Sequence, residues 1–135
     1  MLKCLEPRTN GLDAVFSDMA GMCAGRLKGE PEDLVYISSM SSNVVRSFNP
    51  ASGEVKLVLG NGTRGDHTQG MLEDPFGLAI DSQNRLIVSC LEGYTIVRYD
   101  PSAEPNRQVW RATLAFVPNQ LFVSLRGDLL DSCHL

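Results

Sequence analysis

The chain has 135 residues, room for one small domain and not for two of ordinary size. Hydrophobic residues make up 43% and charged residues 21%, the balance of a soluble globular chain, which excludes a disordered one. Lys and Arg number 12 against 16 Asp and Glu, and the net charge of −4 argues against a nucleic-acid or anionic-membrane partner.

The opening MLKCLEPRTNG has no apolar stretch of the kind a signal peptide carries, so the cytoplasm is the favoured compartment. Residues 1–15 read as a lead-in. Apolar runs such as 34–37 and 86–88 are far below the roughly 20 residues of a membrane span, and no membrane partner is expected. Cys4, Cys23, Cys90 and Cys133 lie far apart, with no CxxC pair and no histidine at zinc-ligand spacing, which reads as reduced thiols. From residue 16 onward, short β-branched stretches alternate with Gly, Pro, Ser and Asn, the pattern of strands and turns. No window sustains a helical apolar stripe over several turns, so a long helix is not expected.

The chain repeats itself. The segment DPFGLAIDSQNRLIVSCLEGYTIVRYDP at 74–101 has an earlier relative in DMAGMCAG and LVYISSMSSNVVRSFNP, separated by an insertion at 26–33. Asp18 meets Asp74, Gly21 meets Gly77, Met22 meets Leu78 and Ala24 meets Ile80. Ile37-Ser38 meets Val88-Ser89, and Val45, Phe48 and Pro50 meet Ile96, Tyr99 and Pro101. LAFVPNQLFVSL at 114–125 is a third, shorter copy. Each full copy reads as a strand after glycine, a polar turn such as Asp81-Ser82-Gln83-Asn84, a second strand, a short loop and a third strand closed by proline. A fourth strand is expected at 55–59 and again at 108–111. Repeated units of four short antiparallel strands predict an all-β chain, a β-propeller arc of consecutive four-stranded blades that is incomplete. The units divide as a first blade at 16–60, a glycine-rich loop at 61–75, a second blade at 76–112, a partial third at 113–125 and a tail at 126–135 that leaves the pattern.

DPFGLAIDSQNRLIVSC and LVYISSMSSNVVRSFNP resemble NHL repeats, and GNGTRGDHTQG before Leu72 is similar to the loop between such repeats. The resemblance implies a propeller. It departs from the family at Met19-Ala20, where Pro-Phe stands in the second copy, and at Ser39 and Cys90, where the family often has Asp. Propellers of this kind serve as protein scaffolds, RNA readers, lyases or hydrolases, so the fold leaves the function open. A more distant resemblance is to the senescence-marker-protein and gluconolactonase propellers, which hold a divalent cation on the axis. The positions for such ligands carry Phe76, Ser39 and Cys90 here. Hard cations take several oxygen ligands, and phenylalanine offers none, so no metal and no cofactor is expected. Asp81 and Asp100 read as turn and strand-end residues.

Catalytic machinery is scarce. His67 lies in the glycine-rich loop and His134 beside the C-terminus, with no GxSxG or HExxH motif, so no catalytic residue is assigned. A blade meander brings alternate loops to one end. The loop 61–75 and the hairpin loops at 40–43 and 91–93 then share a face, with Met40, Arg64, Asp66, His67, Leu91 and Glu92 as its candidate binding residues. The expected function is a non-enzymatic protein-interaction module, or a truncated remnant of one, with a metal-dependent lactonase or hydrolase as the alternative. The expected partner is a protein, or a second copy meeting open blade faces. Val45, Phe48 and Tyr36 are expected to line the first open face, and Phe116 and Phe122 the last.

Overall fold

The computed structural model describes residues 19–62, 72–104 and 108–115 in full, and the backbone of short strands at 8–10, 121–123 and 129–131. Every regular element among them is a strand. β1 is Arg8–Asn10, β2 Met19–Gly25, β3 Leu34–Ser39, β4 Val44–Phe48 and β5 Glu54–Leu59. β6 Pro75–Ile80, β7 Leu86–Cys90, β8 Thr95–Tyr99 and β9 Val109–Thr113 follow, then β10 Leu121–Val123 and β11 Leu129–Asp131. Val, Ile, Leu and Tyr fill these segments because branched and aromatic side chains pack well on a pleated surface.

The strands form antiparallel meanders. The first sheet runs β1-β5-β4-β3-β2, the second β6-β7-β8-β9, and β10 pairs with β11 as a hairpin. The all-β arc of four-stranded blades expected from the repeats is therefore present. Its two blades share one register: Val35↔Phe48 and Ser38↔Val45 in the first stand where Leu86↔Tyr99 and Ser89↔Ile96 stand in the second. Even the irregularities coincide, with a bulge between Met19 and Met22 and another between Pro75 and Leu78.

Turn chemistry separates the strands. Asp81 Oδ1 accepts from Gln83 N and Arg85 N, while Asn84 takes a positive φ of 59° that asparagine tolerates. Asn49 Oδ1 accepts from Ala51 N in the turn between β4 and β5, the counterpart of the Asp100 turn between β8 and β9. Asp81 and Asp100 thus hold turns, Asp100 Oδ1 by accepting from Ser102 N and Ser102 Oγ.

The main core lies between the blades. Leu34, Tyr36, Val45 and Leu59 on the forward face of the first meet Leu78, Leu86, Val88 and Val97 on the rear face of the second, with Leu27 and Leu72 completing the cluster. A smaller cluster of Ala79, Ile87 and Ile96, joined by Leu114, lies on the forward face of the second blade. β10 lies against β6 and β7.

Four expectations change. Tyr36 and Val45 do not line an open first face, because strand alternation turns them toward the second blade, where they are buried. The rear face carries the exposed Met22 with Val35, Ile37 and Phe48 partly buried and Val44 and Arg46 buried, while the equivalents Leu78, Leu86, Val88 and Tyr99 pack against the first blade. The lead-in contributes β1, a fifth strand outside β5, and the tail contributes β11. After the second blade, β9 keeps its place as fourth strand and Leu114 closes its ladder by donating to Tyr94 O, so the hairpin that follows begins at β10 and not at Leu114. Phe116 lies outside the described residues, and only the backbone of Phe122 is described.

Candidate functional site

The two hairpin loops are built alike. Asn43 N donates to Met40 O at 3.1 Å, and Tyr94 N donates to Leu91 O at 3.3 Å. Asn43 and Tyr94 both take positive φ, 55° and 51°, a conformation that asparagine supports better than tyrosine. Asn43 Oδ1 accepts from Asp74 N at 3.1 Å, and Asp74 O accepts from Leu91 N at 3.1 Å. This relay gathers both loops at one end of the arc. Gly60 (φ 89°) passes against the same loop, where a Cβ would overlap the Asn43 carbonyl oxygen, so a side chain there is excluded twice over.

Of the six candidate residues, Met40 and Leu91 are half-buried at this end and Glu92 is exposed. Arg64, Asp66 and His67 lie outside the described residues. Sequence reasoning passed over Asn43 and Asp74, which hold the loops together, and the exposed Tyr94 beside them. The repeat alignment carried one signal, since Asn43 and Tyr94 occupy equivalent positions; the contact between Asn43 and Asp74 crosses 31 residues and leaves no local mark.

The axial side is closely built. Ser38 Oγ accepts from Gly21 N at 2.8 Å and donates to Phe76 O at 2.6 Å, tying β2, β3 and β6. Ser89 Oγ accepts from Gly77 N at 2.7 Å, the same contact one blade on. A Cβ on Gly21 would overlap the Phe76 carbonyl oxygen, so glycine permits the innermost strands to approach. Ser39 and Cys90, at positions where related propellers are expected to carry ligands, are buried. Burial pushes the Cys90 thiol up to about 11 and the Cys23 thiol up to about 12, which disfavours the thiolate a metal or electrophile would need. Among the described residues no three His, Cys, Asp or Glu side chains are grouped to hold a metal ion.

At the opposite end, the insertion 26–33 reaches across to the second blade. Lys28 N donates to Asn84 O at 3.0 Å, and Lys28 Nζ pairs with Asp100 Oδ2 at 3.2 Å. Cavities of about 190 Å³ and 130 Å³ lie here, the first beside Pro31, Asn49 and Glu54, the second beside Leu27, Tyr36 and Tyr99. Both are smaller than the ~300 Å³ at which small-molecule sites begin. Burial pushes the Tyr36 phenol up to about 12 and raises that of Tyr99, so both stay neutral at physiological pH.

No protein-family profile matches the sequence, and no curated protein matches it. Solved structures do match. The fold is similar to that of virginiamycin B lyase from Staphylococcus aureus, with a TM-score of 0.53 and 12% identity over 78% of this chain and 33% of that one. It is similar also to a gluconolactonase from Xanthomonas campestris, with a TM-score of 0.54 and 20% identity over 82% of this chain and 34% of that one. The chain spans about a third of the length of these structures. At such identities the likeness is one of fold, and it agrees with the repeated antiparallel sheets: the chain is an incomplete β-propeller arc.

Proposed function

We propose that this propeller arc, of NHL-repeat type, is a non-enzymatic protein-interaction module. One observation carries the reading. Met22 is 69% exposed, while its repeat equivalent Leu78 is 4% exposed beneath the first blade. Met22 therefore stands exposed where its equivalent buries a neighbouring blade, beside the partly buried Val35, Ile37 and Phe48, and an exposed apolar side chain so placed is what a protein partner would cover. The loop end, with Met40, Leu91 and Glu92 and with Arg64, Asp66 and His67 from the inter-blade loop, is the second surface in the proposal.

A metal-dependent lactonase is the second reading, favoured by the fold likeness to a gluconolactonase. Affinity retention from a native extract separates the two when run with wild type, Met22→Glu and Leu91→Glu. One defined protein is expected on the wild type and is expected to be lost with Met22→Glu, and Leu91→Glu reports whether the loop end takes part. Retention of the same proteins by all three overturns the interaction reading. Tight stoichiometric binding of Ca²⁺, Zn²⁺ or Mn²⁺ by calorimetry favours the lactonase instead.

A further inference from the structure

The two cavities at the strap end adjoin, because Glu30, Ser47 and Lys56 line both. Strand pairing sets two of these side by side. Ser47 of β4 stands opposite Tyr36 of β3 on one flank and Lys56 of β5 on the other, a row on the forward face of the first blade. Glu30 reaches the same cavities from the insertion, where Glu30 N donates to Leu27 O at 3.1 Å.

Ser47 is only 4% exposed, yet its hydroxyl makes no hydrogen bond among the described residues. A buried polar group without a partner is unfavourable, and this one stands where the two cavities meet. The carboxylates around it are unequally engaged. Glu32 Oε1 accepts from Asn49 Nδ2 at 2.7 Å, and Glu54 Oε1 lies 3.5 Å from Lys56 Nζ. The Glu30 carboxylate has no hydrogen bond or ion pair among the described residues. The pair that holds Lys56 is half-exposed, and such pairs hold weakly, so its ammonium is free to turn toward a ligand.

We propose that this crevice binds a small zwitterion, an α-amino acid about the size of alanine. Its ammonium donates to the Glu30 carboxylate and the Ser47 hydroxyl, and its carboxylate meets the Lys56 ammonium. A carboxylate, a hydroxyl acceptor and an ammonium in one crevice match the two opposite charges of such a ligand, and hydrogen bonds between charged groups are the strong ones. The apolar wall of the second cavity, with Leu57, Val58 and Pro101, faces the short side chain. The cavity volumes exclude a drug-sized molecule and suit a ligand of a few heavy atoms. This inference is independent of the partner reading, which concerns the rear face of the first blade and the loop end.

Amide chemical shifts of the full chain, followed in a titration with L-alanine, test the site. Saturable shifts are expected at Glu30, Ser47 and Lys56. Ethylammonium, which lacks the carboxylate, and propionate, which lacks the ammonium, are each expected to bind roughly tenfold more weakly or less. Glu30→Gln and Lys56→Met are expected to weaken alanine binding by a similar factor, with far-UV circular dichroism unchanged, since both side chains lie at the surface of the crevice. An absence of saturable shifts, showing a crevice filled by water alone, overturns the proposal. So do shifts centred elsewhere, ethylammonium or propionate binding as well as alanine, or well-folded variants that bind alanine as the wild type does.

Discussion

Ser38 and Ser89 make the same contact in successive blades, each hydroxyl accepting from a glycine N–H on the innermost strand. The Ser38 proton goes to the Phe76 carbonyl of the next blade. A buried polar group left without its partner costs its full desolvation. Ser38→Ala strands both the Gly21 N–H and the Phe76 carbonyl, and the expected loss is about 1–3 kcal/mol. Ser89→Ala strands the Gly77 N–H and is expected to destabilise the second blade as well. Urea unfolding of the two variants beside the wild type measures both losses. The equivalence of these serines was legible in the repeat alignment. Their partners were not, since alignment sets residues in correspondence and does not show which atoms meet across a sheet.

The insertion 26–33 acts as an element of its own, strapping the first blade to the turn of the second through Lys28. Hydrogen bonds from Ser102, and then the Lys28 ammonium, hold the Asp100 carboxyl below its ordinary range. A carboxyl lowered in the folded chain stabilises it above the unfolded pKa, about 3.9, and that contribution is lost as pH falls through the folded value. Asp100→Asn is therefore expected to flatten the acid side of the stability profile, most visibly below about pH 4. Thermal melts from pH 7 downward measure it. As a sequence the insertion read merely as a longer turn, because a strap is defined by where its far end lands. β1 was illegible for a related reason: Arg-Thr-Asn has no apolar alternation, and it is a strand only because the outer edge of β5 accepts it.

Across the whole molecule, one shared core makes the two blades interdependent. Leu86 is fully buried in the cluster that joins them. Leu86→Ala is expected to cost about 2–5 kcal/mol and to destabilise both blades together. Far-UV circular dichroism, which reports both sheets, and Trp110 emission, which reports the second, are expected to shift to the same lower midpoint. Separate midpoints would show that each blade stands alone. The propeller class was legible from turn residues and repeats, because both are local and recur. Which face lay open was misread at Tyr36 and Val45, since strand alternation gives two faces and only packing shows which one meets a neighbour.

The pairing of β1 with β5 also orders events in time. Arg8–Asn10 leaves the ribosome before its partner Glu54–Lys56, which follows only after the three segments of β2, β3 and β4, so β1 has no edge to join until the first blade is nearly complete. The second blade grows differently, each strand pairing with the one just before it. Its rear core nevertheless needs the forward face of the first. Synthesis thus lays down a nearly finished first blade, uses it as the surface on which the second assembles, and closes the outer edge of β5 by reaching back to the earlier-made β1.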